Sequence, residues 1–151
     1  MVNNSRVVLS DLEALKLFDT KIAIILLDEL EIWQKLNVTA FLISGIVGEN
    51  PELIGEEYKD KSKRRYLALN RQPTVVLQAD STVMANIHER TKNRSIVTSI
   101  YIKDMFSTGN DEDNRNTVLN YHTADLPMVG IGIREAKKLV DKITKGAKLH
   151  P

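Results

Sequence analysis

Two acid-led pairs carry the chain's best chance of chemistry: Asp28 with Lys35 seven positions on, and Asp104 with Thr108 four positions on. Each aspartate ends a strand-like run, residues 21–27 and 95–102. If both runs are parallel strands of one sheet, the four polar side chains converge at its carboxyl edge, where open α/β sheets keep their ligand crevice. There one of the two carboxylates would activate water, Thr108 one helical turn after Asp104 would position the substrate or water, and Lys35 would orient the carboxylates or steady negative charge on a developing oxyanion. That set suits hydrolysis of an ester or amide bond without metal or cofactor. It suits equally the recognition of a small polar ligand or a protein terminus without turnover. The plainer alternative makes Asp28 and Asp104 helix caps and Lys35 a solvated or ion-paired side chain.

The elements that must position these groups follow from hydrophobic periodicity. Residues 21–27 are almost continuously apolar, as expected of a strand covered on both faces. Trp33, Leu36, Ala40, Ile43 and Val47 recur at steps of three and four and predict a helix over 31–47 that turns this stripe to the sheet, with Trp33 in the core. Gly48 stops it. Residues 49–72 show no sustained period and form a long excursion, with a short strand at 66–69. A second main strand is expected at 73–78, then a helix to about residue 93 capped by Asp80. A third strand spans 95–102, residues 109–113 form a loop, and 114–121 are weakly helical. Pro127 introduces a fourth strand at 128–133, and a helix over 134–145 ends before Gly146. Strands alternating with helices argue for an α/β layer with crossovers. Residues 1–20 are expected to be an arm or short helix, and 21–151 a single α/β domain.

The chain has 151 residues, enough for one core, and no cysteine, which excludes disulfides, thiol chemistry and a cysteine-based zinc site. This suits a reducing cytoplasm. No signal-like apolar core opens the chain, and the longest greasy stretch, 38–47, is about half a bilayer span. A membrane is therefore not an expected partner. With 21 basic and 20 acidic residues, the net charge of +1 gives none of the global field of a dedicated nucleic-acid binder. Lys59, Lys61, Lys63, Arg64 and Arg65 form a local basic cluster, and Asp111, Glu112 and Asp113 an acidic one, each expected on a solvated loop.

Other suggestive patterns are weaker. Gly130 and Gly132 lack the third glycine of a dinucleotide fingerprint and lie inside a strand, where they permit close approach of a covering element. His88, His122 and His150 have no spacing that would hold a metal, and surface or helix-end roles are expected for them.

Over residues 21–151 the chain resembles an uncharacterised family, domain of unknown function 2000, through KIAIILLDELEIWQKLNVTAFLISGI, RQPTVVLQAD and VGIGIREAKKLVDKITKGAKLHP. It is similar more distantly to peptidyl-tRNA hydrolase type 2, with the same order of elements. That resemblance implies a three-layer α/β fold with a mixed, mostly parallel four-stranded sheet flanked by helices. It implies catalytic roles at Lys35, Asp104 and Thr108, and substrate contacts at Asp28, Thr39 and Gln72. It also implies tRNA as a partner, which the net charge does not support. Glu31, Ile32, Trp33 and Gln34 replace that family's glycine- and lysine-rich turn, Thr39 and Leu42 replace the glutamine and histidine of its helix, and Ser107 and Gly109 replace the arginine and glutamine that flank its threonine. The anchors stay while the substrate-contacting neighbours change. The expected partner is thus a small molecule or an acyl ester, with a homodimer formed through apolar faces as a further expectation.

Overall fold

Five consecutive apolar residues, Ile22 to Leu26, are buried at 0–2 % exposure in the computed structural model, which describes residues 19–151. A segment apolar on both faces belongs at the centre of a covered sheet. Seven strands form among the described residues: β1 (Thr20–Leu27), β2 (Tyr58–Lys59), β3 (Arg65–Tyr66), β4 (Thr74–Ala79), β5 (Ser99–Ile102), β6 (Met128–Ala136) and β7 (Lys148–Leu149). Five of them make one sheet in the order β5-β6-β1-β4-β7, with β1 in the middle, and β2 and β3 pair as a separate hairpin. The proposed arm or helix within residues 1–18 lies outside the described residues.

Four helices flank the sheet: α1 (Ile32–Glu49), α2 (Ser81–Asn93), α3 (Asp111–Leu119) and α4 (Lys137–Ile143). Alternate side chains of β1 point to opposite faces. Ile22, Ile24 and Leu26 meet Val38, Leu42 and Ile46 of α1, while Ala23 and Ile25 join Met84 and Ile87 of α2 and Val140 and Ile143 of α4. The fold is α/β, a mixed sheet between two helical layers.

The sheet has one more strand than expected, because β7 adds to the outer edge of β4. Only β1 and β4 pair in parallel; the other three ladders are antiparallel. β6 therefore lies between β1 and β5, which still run the same way and end at the same edge.

The inward face of α1 differs from the expected stripe. Val38, Leu42 and Ile46 are buried, whereas Trp33 is 61 % exposed and Leu36 and Phe41 also face outward. This helix is apolar nearly all round, so spacing alone cannot choose a face. Gly130 chooses it. A Cβ there would lie 2.5 Å from Val38 Cγ1 and 3.0 Å from Leu42 Cδ1, so its absence admits this seam of the helix.

Two boundaries also move. Asp111, Glu112 and Asp113 are the first turn of α3, with Asn110 accepting from the Asp113 N–H at 2.8 Å, because acidic side chains complement a helix's positive end. Arg134, expected in the last helix, continues β6, held by pairing with Ile22.

Candidate functional site

β1 delivers Asp28 to the carboxyl edge, where its N–H bonds the Ala79 carbonyl at 2.9 Å and its side chain is exposed. It does not cap α1, at whose N-terminus the Gln34 side chain accepts from the Glu31 N–H at 2.9 Å. Lys35 is half-buried on the first turn of α1, with Thr39 one turn later. The Thr39 hydroxyl donates to the Lys35 carbonyl at 2.7 Å, a bond internal to the helix.

The Lys35 ammonium lies 3.1 Å from His150 Nε2. An ammonium can only donate, so Nε2 accepts and Nδ1 carries the ring proton, 3.1 Å from the Pro151 carbonyl. β7 and the His150 N–H, which donates to Val76 O at 3.0 Å, fix that ring against β4.

Asp104 follows β5 in a short 3₁₀ segment, Lys103–Ser107. Its half-buried carboxylate accepts the Tyr121 hydroxyl at 2.8 Å, and this bond, with burial and the carboxylate's charge adding to it, holds the Tyr121 phenol above its ordinary titration range. The Thr108 hydroxyl lies 2.9 Å from the Met105 carbonyl and also hydrogen-bonds the Asn114 side chain on α3.

Among the described residues, no hydrogen bond or ion pair joins any two of Asp28, Lys35, Asp104 and Thr108. The shared edge is real, yet each group has recruited its own neighbour. Gln72, 5 % exposed, lies at the opposite rim, where its Nε2 donates to Thr20 O at 2.8 Å and its Oε1 accepts from Arg134 Nε at 3.1 Å. The structure does not bring it to the carboxyl edge, because it precedes β4 and that strand must run its full length before reaching Asp80.

What the edge does hold is a hollow of about 250 Å³ between α1, β5 and the start of α3. Its wall is aromatic. Trp33 meets Phe106 edge-on at 6.1 Å between centroids, Phe106 meets Tyr101 at 5.0 Å, and Tyr101 meets Phe41 at 5.7 Å. Asn37, Thr108 and Asn114 supply its polar rim. Burial raises the Tyr101 phenol, and its bond to the Asn37 side chain works the other way. An apolar cleft of about 420 Å³ continues from this hollow along α3, past Ile100, Val118 and Leu119.

Of the expected site residues, only Thr108 lines this hollow. His150, Tyr121, Asn37 and Asn114 have no motif that announces them, since their partners are set by tertiary contacts such as that between Lys35 and His150, more than a hundred residues apart. Trp33 and Phe41 were visible as apolar residues, but their spacing suited burial.

The family described as protein of unknown function (DUF2000) matches residues 20–151. This chain belongs to that family. A solved structure, a protein of unknown function, Atu0240, from Agrobacterium tumefaciens strain C58, is 50 % identical and superposes with a TM-score of 0.85, covering 88 % of this chain and 98 % of that one. None of the curated proteins matches. Among the described residues of this family member, no helix is long and apolar enough to cross a membrane, and no three histidine, cysteine, aspartate or glutamate side chains are grouped to hold a metal.

Proposed function

We propose that this member of the family is a ligand-binding α/β domain whose carboxyl-edge hollow takes a small molecule with one flat apolar ring and a polar substituent. The observation that carries this reading is the continuous wall of Trp33, Phe106, Tyr101 and Phe41 facing the polar groups of Asn37, Thr108 and Asn114. Apolar walls with a few convergent polar groups are the usual composition of small-molecule sites. At about 250 Å³ the hollow is just below the roughly 300–1,000 Å³ usual for such sites, which favours a single ring over a nucleotide. Aromatic pairs prefer edge-to-face or offset contact, so a planar guest can extend the existing series.

Trp33 is the chain's single tryptophan and stands in the wall, so the protein carries its own reporter. Titration with benzamide and with phenol should change its fluorescence saturably, and Phe106→Ala should weaken binding by about tenfold, or roughly 1.4 kcal/mol. No saturable change in the wild type with either probe removes this reading.

A second reading, a metal-independent hydrolase of ester or amide bonds, is favoured by the half-buried Asp104 carboxylate with Tyr121 upon it and by Lys35 beside the same edge. In it Asp104 activates water, Thr108 orients it and Lys35 stabilises the developing oxyanion. Asp104→Asn and Lys35→Ala should then abolish cleavage of p-nitrophenyl acetate by folded protein. Failure of the pure wild type to cleave it eliminates hydrolysis and leaves binding intact.

A further inference from the structure

A hollow of about 650 Å³ lies at the other end of the sheet and takes no part in the site above. It exists because β5 has four residues and β6 nine, so β5 pairs with β6 only as far as Gly132 and leaves a notch beside Arg134. The cation in that notch is unusual in its company. Arg134 is half-buried, and its Nε donates to Gln72 Oε1 and its Nη1 to Asn50 Oδ1, both at 3.1 Å and both neutral amide oxygens. Lys21, Arg65, Lys92 and Arg115 each meet a carboxylate, in contrast to the amide partners of Arg134.

A partly buried guanidinium normally meets a carboxylate, because desolvating its charge without a counter-charge is costly. Here two amides aim it instead. Gln72 cannot turn away, since its Nε2 is committed to the Thr20 carbonyl and hydroxyl at 2.8 and 3.1 Å. With Nε and Nη1 engaged, Nη2 remains to donate to an oxyanion, a charge-assisted bond. Thr98 and Ser95 line the same hollow as hydroxyl donors, with Arg94 as a second cation, while Glu49 and Glu135 stand on its lining too. Those two acids disfavour a multiply charged anion.

We infer that this notch binds a small organic monocarboxylate bearing a hydroxyl or ammonium group, with Arg134 as its anchor and Gln72 and Asn50 as the residues that position Arg134. The polar group of the ligand meets the rim acids, and its carboxylate gives Arg134 the direct ionic partner that its two amide contacts do not. This inference is independent of the ring-binding hollow at the opposite edge.

Titration of the ¹⁵N-labelled protein with L-serine, L-lactate and inorganic phosphate tests it. The Arg134 Nε–H and Thr98 amide resonances should move saturably with serine or lactate, and Arg134→Gln should weaken binding by about tenfold or more. Arg134→Gln also removes two structural bonds, so Asn50→Asp is the second variant: it provides an internal carboxylate to Arg134, and although the Nδ2 bond to Ile46 O is lost, that carbonyl keeps its bond from the backbone N–H of residue 50. A folded Asn50→Asp protein that no longer binds serine or lactate supports the site. Saturable binding that persists undiminished in Asn50→Asp overturns it, as does binding of phosphate alone or of none of the three.

Discussion

Tyr121 and Asp104 are the residue pair whose chemistry is easiest to read out. Because the phenol donates to the carboxylate at 2.8 Å, Tyr121 should ionise above the ordinary range near 10, and Asp104→Asn should bring it down. Alkaline absorbance titration, with Tyr121→Phe to assign the signal, checks this; an unmoved titration in Asp104→Asn would show that the bond does not persist in solution. Gly130 gives a second test. The methyl of Gly130→Ala meets Val38 and Leu42 below normal contact distance, so the substitution should cost about 1–3 kcal/mol in urea denaturation. At this scale the sequence displayed the acids, the lysine and the threonine but none of their partners. The places of Asp28 just after β1 and of Lys35 in α1 were legible from local pattern, whereas Tyr121 reaches Asp104 only because α3 folds back over the 3₁₀ segment, a geometry no spacing encodes.

Elements were legible where period, cap and composition agreed. Asp80 before Ser81 announced α2, and its carboxylate does accept the Val83 N–H at 2.8 Å. The continuous apolar run of β1 likewise led directly to its central place. Reading failed where one signal was duplicated or hidden: α1 offers apolar residues on every side, and the decisive Gly130 lies some ninety positions away on another strand. The acidic trio of α3 looked like a solvated loop because it lacks apolar residues, yet Asn110 closes that helix from its side chain. Asn110→Ala should destabilise by about 1 kcal/mol and loosen the Asn114 side of the aromatic hollow, visible as weaker amide protection in α3 by hydrogen exchange. β7 was unreadable from two residues, and its contribution, setting His150 against Lys35, is clear only once strands are paired.

For the whole molecule, one pH dependence follows from His88 on α2. Burial holds its imidazole below the ordinary histidine range, Lys92 adds to that shift, and Glu89 opposes it. Its folded pKa is thus depressed, so below about 6.5 the unfolded chain takes up a proton that the native state resists. Stability should fall as pH drops from 6.5 through the folded pKa, and the slope should lessen in His88→Asn; equal slopes for both proteins would rule this out. The three-layer architecture was recoverable from the alternation of elements, but the antiparallel insertion of β6 between β1 and β5 was not, since strand order is decided by crossovers and not by local pattern. That insertion bears on kinetics. β1 completes its pairing only with a strand more than a hundred residues away, Thr20 opposite Ala136, so a long loop must close before the central ladder can form. Refolding should accordingly be slower than for a helical bundle of equal length. Until β6 arrives, Ile22 to Leu26 is a bare greasy edge inviting intermolecular zippering, so the yield of refolded protein should decline as its concentration is raised.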